Sequence, residues 1–285
     1  MIIHRTVADL RETVRAARAE GRRISLVPTM GAFHDGHLSL MRRAREEGGL
    51  SVVSLFVNPA QFNDPSDLER YPRDETRDAA LAESAGADLL FAPTVREVYP
   101  PGFSSTVEVR GISAPLEGEV RGVEHFRGVA TVVTKLFNMV QPDVAFFGQK
   151  DAQQALLIRR MVRDLDMSVR VEVCPTVREP DGLAMSSRNV LLTAADRARA
   201  PGLYRALAAV ERSVAAGMED PAVALAVGST ILDEAGIEPE YFAAVDADTL
   251  TPVRRITGET LIALAARFGD VRLIDNVIVR PPVRR

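Results

Sequence analysis

The stretch Ile24-Ser-Leu-Val27-Pro28-Thr-Met30-Gly31-Ala-Phe-His34-Asp-Gly36-His37-Leu38-Ser-Leu-Met41-Arg-Arg-Ala44 sets the architecture. Residues 24–27 form an apolar run closed by a proline, the pattern of a buried strand. Beyond the turn, Leu38, Met41 and Ala44 recur at helical spacing among helix-forming residues, so a helix is expected from Leu38. Two imidazoles, at His34 and His37, and two glycines, Gly31 and Gly36, therefore occupy a strand-to-helix turn. At such a turn the free N–H groups and the positive end of the helix dipole favour a phosphate. Glycine lets backbone approach a ligand closely, and an imidazole can follow charge developing on phosphate oxygens. The plain alternative is a surface turn with two solvated histidines.

Working outward, the same alternation repeats. A capping box at Thr6 opens a first helix, with Val7, Leu10, Val14 and Ala17 on one apolar stripe. Strands are expected over 51–57, 88–92, 144–147 and 169–174, with helices over 76–85, 129–140 and 152–165. Strands separated by helices at this spacing imply right-handed βαβ units and a parallel sheet. The expectation is an α/β, Rossmann-like doubly wound sheet in a nucleotide-binding domain over 1–178. From about Ala194 the texture changes to two Ala-rich helical runs, 194–216 and 221–235, followed by strand-like runs at 241–245, 260–266 and 272–279. That is α+β texture, read as a smaller C-terminal domain over 179–285.

Composition narrows the function. The 285 residues carry a net charge of −4, with 35 basic and 39 acidic side chains, which argues against a nucleic-acid or membrane-surface binder. No apolar run reaches membrane-span length, and the N-terminus lacks a signal-peptide pattern, so a cytoplasmic address is expected. One cysteine, Cys174, leaves no disulfide framework and no thiolate zinc cluster. Of the 35 basic residues only Lys135 and Lys150 are lysine. A chain that uses arginine for generic positive charge keeps a lysine where a compact ammonium is needed. Lys135 sits among apolar neighbours in a helical run and reads as a snorkelling surface lysine.

In an open α/β sheet, ligands bind beyond the carboxyl ends of the strands. Polar segments follow the expected strands: Asn58-Pro-Ala-Gln61, Gly148-Gln149-Lys150-Asp151-Ala-Gln-Gln154, and the loop ending Met185-Ser186-Ser187-Arg188. Lys150 can reach phosphate oxygens; Asp151 can cap a helix or bond a ribose hydroxyl. Ser186, Ser187 and Arg188 suit a mobile phosphate clamp, although Ser-Ser-Arg also fits a solvated turn. Gln61 and Gln154 can bind a carboxylate or hydroxyls without adding charge, or be exposed helix-start residues. No Walker A loop, GxGxxG turn, zinc-ligand spacing or Gly-x-Ser-x-Gly elbow is present.

Assembled, these segments resemble the pantothenate synthetase (pantoate–β-alanine ligase) family, nucleotidyltransferases with an HxGH motif related to class I aminoacyl-tRNA synthetases. The matching blocks are Pro28 to His37, Phe56 to Phe62, Tyr71-Pro-Arg73, Phe126-Arg-Gly-Val129, Phe147 to Asp151, Arg178 to Asn189 and Arg272-Leu-Ile-Asp-Asn276. Two departures are Ala60, where many members have threonine, and Gly122-Val-Glu-His125 in place of a Pro-Gly-His run. The resemblance implies ATP as substrate with Mg²⁺, and pantoyl-adenylate as intermediate in joining pantoate to β-alanine. It implies that His34, His37, Lys150 and Arg188 act on the phosphates, with His37 a proton donor. It places Met30, Gly31, Gly36, Gly148, Gln149, Asp151, Val177, Met185, Ser186 and Ser187 around ATP. Gln61 and Gln154 would hold pantoate, with Gln61 also near β-alanine. A homodimer, and a second domain acting as a lid, are further implications; the residues that ligate the metal are left open. The alternative is a nucleotidylyltransferase acting on a phosphorylated small molecule, with a basic acceptor pocket. A non-catalytic nucleotide sensor would have no use for Lys150 or the Ser-Ser-Arg loop.

Overall fold

The computed structural model describes residues 1–282, which fall into two compact units. The first comprises Met1–Gly148 and Gln153–Pro175; the second comprises Gln149–Ala152 and the chain from Thr176 onward. The division thus falls a few residues before the expected boundary at 178. The short segment Gln149–Ala152 joins the second unit because its partners lie on the C-terminal sheet.

In the first unit the strands are β1 (Ile2–His4), β2 (Ile24–Thr29), β3 (Leu50–Leu55), β4 (Leu89–Phe91), β5 (Val144–Gly148) and β6 (Arg170–Cys174). The helices are α1 (Val7–Ala19), α2 (Asp35–Glu46), α3 (Pro65–Arg70), α4 (Glu75–Ser84), α5 (Val95–Val98), α6 (Glu117–Arg121), α7 (Val123–Val140) and α8 (Ala152–Asp164). All six strands are parallel, in the order β1-β4-β3-β2-β5-β6. From β2 the chain builds outward through β3 and β4, then returns to β2's other side with β5 and β6. The gap between β2 and β5 is therefore the switch point where a doubly wound sheet binds ligand. The strands β2 to β5 are buried and mostly apolar, as a covered parallel sheet requires, with Ser25, Ser51 and Ser54 the buried polar exceptions. Helix α2 buries Leu38, Leu40, Met41 and Ala44 with Val27, Val53, Leu90 and Phe146 of the sheet. Each of the larger side chains contributes roughly 1.5–3 kcal/mol on burial.

Several boundaries move, each for a local reason. β2 continues through Pro28 to Thr29 because β5 pairs only with Ser25 and Leu26, so proline's missing N–H removes no bond on that side. Helix α2 begins at Asp35 and not Leu38, since His34 caps it, and His37 accordingly lies in its first turn. Helix α7 begins at Val123, six residues before the expected start. Strand β1 and the short helices α3, α5 and α6 have no counterpart in the sequence expectations.

The second unit contains α9 (Ala194–Arg199), α10 (Gly202–Ala215), α11 (Pro221–Glu234) and the antiparallel strands β7 (Pro239–Asp246), β8 (Thr260–Phe268) and β9 (Val271–Val279). The expected single helix 194–216 is broken at Pro201, which lacks the N–H needed to continue it. Helices α10 and α11 cover the sheet, burying Leu203, Leu207, Val210 and Leu232 with Ile262, Leu264, Leu273 and Val277. The expected fold class, a doubly wound parallel sheet with a smaller C-terminal α+β part, is the observed one.

Candidate active site

The turn after β2 is built by two side chains that cap it from opposite ends. His34 is the N-cap of α2, and its Nδ1 accepts from the Gly36 N–H at 3.1 Å. A neutral ring that accepts at Nδ1 carries its proton on Nε2, so the cap fixes His34 as a donor at that second nitrogen. His37, one turn on, packs its ring tilted by 48° against both neighbours, at 4.2 Å between ring centroids from His34 and 5.6 Å from Phe33. Any side chain at Gly36 would meet the His34 ring at 2.8 Å, so the glycine is what lets that ring fold back onto its own helix. Both histidines are half-buried.

The other end is held by Asp78, which sequence reasoning missed. Asp78 on α4 is 1% exposed and accepts from the Ala32 N–H at 2.7 Å and the Phe33 N–H at 2.9 Å. Arg77 donates to the Phe33 carbonyl at 3.1 Å and lies 3.5 Å from the same carboxylate. The turn needs this support because Gly31 and Ala32 both have positive φ, +91° and +53°. A signal was present: Asp78, Ala82 and Ala85 form one helical stripe, so a carboxylate stands where an apolar residue belongs.

Gln61 ends the 3₁₀ turn Pro59–Gln61 after β3 and is positioned by three neighbours. Asn58, buried, donates to Gln61 Oε1 at 3.1 Å and to the Gly128 carbonyl at 3.2 Å, and accepts from the Tyr99 hydroxyl at 2.8 Å. Burial pushes the Tyr99 hydroxyl up to about 12, so it remains a proton donor. The Nδ1 of His125 bonds the Gln61 carbonyl at 2.7 Å, which assigns that imidazole to support of the backbone. A Cβ at Gly128 would stand 2.2 Å from the Ala60 carbonyl oxygen; only glycine lets α7 pack this closely on the 3₁₀ turn. Gln154 is half-buried on α8; its neighbour Gln153 is a buried clamp, bonding the Glu117 N–H and the Ile112 and Pro115 carbonyls. Lys135 departs from expectation: its ammonium is 4.4 Å from the centre of the Phe103 ring and 5.7 Å from that of Tyr99. Burial lowers its pKa, and the cation–π contacts offset lost hydration. Cys174 is buried with its thiol pushed up to about 11, so it is no nucleophile at neutral pH.

In the first unit, Met30, Gly31, Gly36 and the histidines thus share one turn at the carboxyl end of β2, and Gly148 ends β5 beside it in strand order. In the second unit, Gln149, Lys150 and Asp151 form a 3₁₀ turn. The Lys150 ammonium is mostly enclosed, 4.0 Å from the Asp151 carboxylate. Val177 and Met185 are joined by a backbone bond at 2.9 Å, closing a narrow loop around Arg178–Ala184. Beyond it Ser186 Oγ accepts from the Arg188 N–H at 3.2 Å. The loop is tethered, not loose: Asn189 donates to Glu179 and the Ala184 carbonyl, and Arg197 pairs with Glu179 and Asp181. Arg178 forks onto Asp275 at 2.6 and 3.0 Å and stacks on Tyr204 at 3.7 Å. Burial pushes the Asp275 carboxyl upward, while Arg178 and Lys150 pull the other way.

In the first unit, a capped helix N-terminus at the switch point with two imidazoles packed beside it suits the binding of a polyphosphate and the neutralising of charge on its oxygens. Comparison with known proteins agrees. A family model described as pantoate–β-alanine ligase matches residues 2–278. Pantothenate synthetase of Herpetosiphon aurantiacus is 52% identical over 270 residues, 94% of this chain and 98% of that protein. The enzyme of that name from Acetivibrio thermocellus is 49% identical, covering 98% and 99%. A crystal structure of pantothenate synthetase from Thermus thermophilus superposes with a TM-score of 0.92 at 48% identity, covering 99% of this chain and 100% of that one. A pantoate–β-alanine ligase from Francisella tularensis, crystallised with β-γ ATP and β-alanine, gives a TM-score of 0.79 at 34% identity over 98% and 97% of the chains. These names do not favour the nucleotidylyltransferase alternative. Matched over nearly its full length by the family model and by relatives about half identical to it, the chain belongs to the pantoate–β-alanine ligase family.

Proposed function

We propose that this protein is an ATP-dependent ligase that joins pantoate to β-alanine through pantoyl-adenylate, releasing pyrophosphate and then AMP. The observation that carries the proposal is the β2–α2 turn: a His34-capped helix start, pinned by Asp78, in a chain about half identical to pantothenate synthetases throughout. In the first step a pantoate carboxylate oxygen bonds the α-phosphorus as the bond to pyrophosphate breaks. No protein nucleophile is involved, in keeping with a buried, unreactive Cys174. Negative charge grows on the departing pyrophosphate, and groups that bind this charge more strongly than the ground state lower the barrier. Lys150, Arg188 and the His34 Nε2–H have that role, and His37 is the proton donor. In the second step the neutral amine of β-alanine attacks the acyl carbon, the bond from that carbon to the AMP phosphate oxygen breaks, and the proton lost by the nitrogen passes to solvent as AMP departs.

Met30, Gly31, Gly36, Gly148, Gln149, Asp151, Val177, Met185, Ser186 and Ser187 complete the ATP contacts, and Gln61 and Gln154 hold pantoate. Neutral amides suit a carboxylate that must remain nucleophilic, because a fixed cation there would hold its electrons back. Among the described residues no group of three or more His, Cys, Asp or Glu could hold a metal ion. Mg²⁺ accompanying ATP would supply further charge neutralisation at the phosphates. No helix among the described residues is long and apolar enough to cross a membrane. A cytoplasmic homodimer is the proposed working form.

The test is pantoate-dependent ATP–pyrophosphate exchange, followed by mass-spectrometric detection of pantothenate and AMP once β-alanine is added. Exchange should require pantoate and be nearly abolished in Lys150→Ala. Exchange without pantoate, or an unaffected variant, would overturn the assignment.

A further inference from the structure

Two adjacent residues of β9, Asp275 and Asn276, each hold one of the two site segments in the second unit. Both are buried, at 3% and 4% exposure. Successive strand residues face opposite sides of a sheet. Asp275 lies in the inward row with Leu273, Val277 and Val279, a carboxylate in an otherwise apolar stripe, and its two oxygens take the Arg178 fork. Arg178 begins the loop that leads to Met185–Arg188. Asn276, on the other face, uses its whole carboxamide on the lysine turn. Its Nδ2 donates to the Gln149 carbonyl at 2.9 Å and the Lys150 carbonyl at 3.0 Å, while its Oδ1 accepts from Gln149 Nε2 at 3.3 Å. Both amide hydrogens and the oxygen are thereby engaged.

We propose that Asn276 is a positioning residue for the reaction, fixing the backbone that carries Lys150 so that the ammonium is held at one place, with the Asp275–Arg178 pair as its rigid base. This rests on the ligase reading. Apolar packing could hold a 3₁₀ turn only loosely, because packing has no direction, whereas two carbonyls gripped by one planar amide leave the turn a single orientation. A long, rotamer-rich lysine gains the most from such anchoring, since the atoms left free to move are then only its own side chain.

Lysine chemistry makes the test direct, because the chain holds only Lys135 and Lys150. Wild type, Asn276→Leu and Asn276→Ala are treated with a limiting amine-acylating reagent, and the Lys150-to-Lys135 labelling ratio is read by mass spectrometry. Lys135, enclosed by Phe103 in the other unit, is the internal reference. Thermal melting and the kcat and KM of pantoate-dependent exchange are measured on the same samples. Both variants should melt cooperatively, change the labelling ratio at least threefold and lose at least tenfold in kcat, with the KM for pantoate changed less than threefold. A folded Asn276→Leu protein with an unchanged ratio would overturn the proposal, as would a changed ratio with intact kcat. If the leucine variant does not fold, the alanine variant decides on the same criteria. Absence of exchange in the wild type would instead overturn the ligase reading, and the labelling ratio alone would then decide whether Asn276 orders the Lys150 turn.

Discussion

At the scale of single residues, the site separates chemistry from support. Under the proposed function His34 serves both: one ring nitrogen caps α2, and the other is the donor assigned to the phosphates by that proposal. Asparagine is also a strong N-cap, so His34→Asn should hold the helix while removing the imidazole. Its melting temperature should stay within a few degrees of wild type as exchange activity falls by an order of magnitude or more. His34→Ala should lose the same activity and, in addition, about 1 kcal/mol of stability in urea unfolding. Asp78 is pure support. Replacing it with alanine leaves one buried and one part-buried N–H group unpaired and the positive-φ turn without its clasp, which should cost about 2–4 kcal/mol by urea unfolding. The histidines were legible in the sequence because their spacing and neighbours are local. Asp78 and Asn58 were not, because their partners are distant along the chain: 45 residues separate Asp78 from Phe33, and 70 separate Asn58 from Gly128.

Elements are where glycine and proline decide the geometry. α7 meets the Pro59–Gln61 turn so closely that Gly128→Ala must push the two apart. Overpacking of this kind costs about 1–3 kcal/mol. Because Gln61 rides on the displaced turn, the variant should also raise the KM for pantoate in the exchange assay. An unchanged KM in a destabilised protein would show that Gln61 does not depend on that packing. The early start of α7 has the same cause: the run 123–128 has a glycine just before it and another at its end and reads weakly as helix, yet its packing on the turn stabilises it. Conversely, Pro201 splits the run from 194 to 216 where helix propensity alone reads through.

At the scale of the whole molecule, charge networks tie elements that are far apart in sequence. Glu47, just beyond α2, is 11% exposed at its side chain and meets Arg43, Arg23 and Arg170 at 3.0, 3.5 and 2.9 Å. The Arg170 hydrogen bond, aided by the other arginines, holds the Glu47 carboxyl below its ordinary value. A carboxyl depressed in the folded state stabilises above its unfolded value and loses that contribution as pH falls through the folded one. The melting temperature should therefore decline below about pH 4.5, and Glu47→Gln should flatten that acid limb while lowering stability at neutral pH. Light scattering should give twice the 31.0 kDa chain mass for the proposed dimer. By itself the sequence determined the alternation of strands and helices, the polar segments that follow the strands, and the family, because each is carried by local periodicity or short contiguous motifs. Only the tertiary structure decided that Asp78 clasps the histidine turn, that Gly128 seats Gln61, and that neighbouring residues of β9 grip the two loops of the second unit. Those pairings depend on burial and register between distant segments, and a buried polar group declares its partner only once the chain has folded around it.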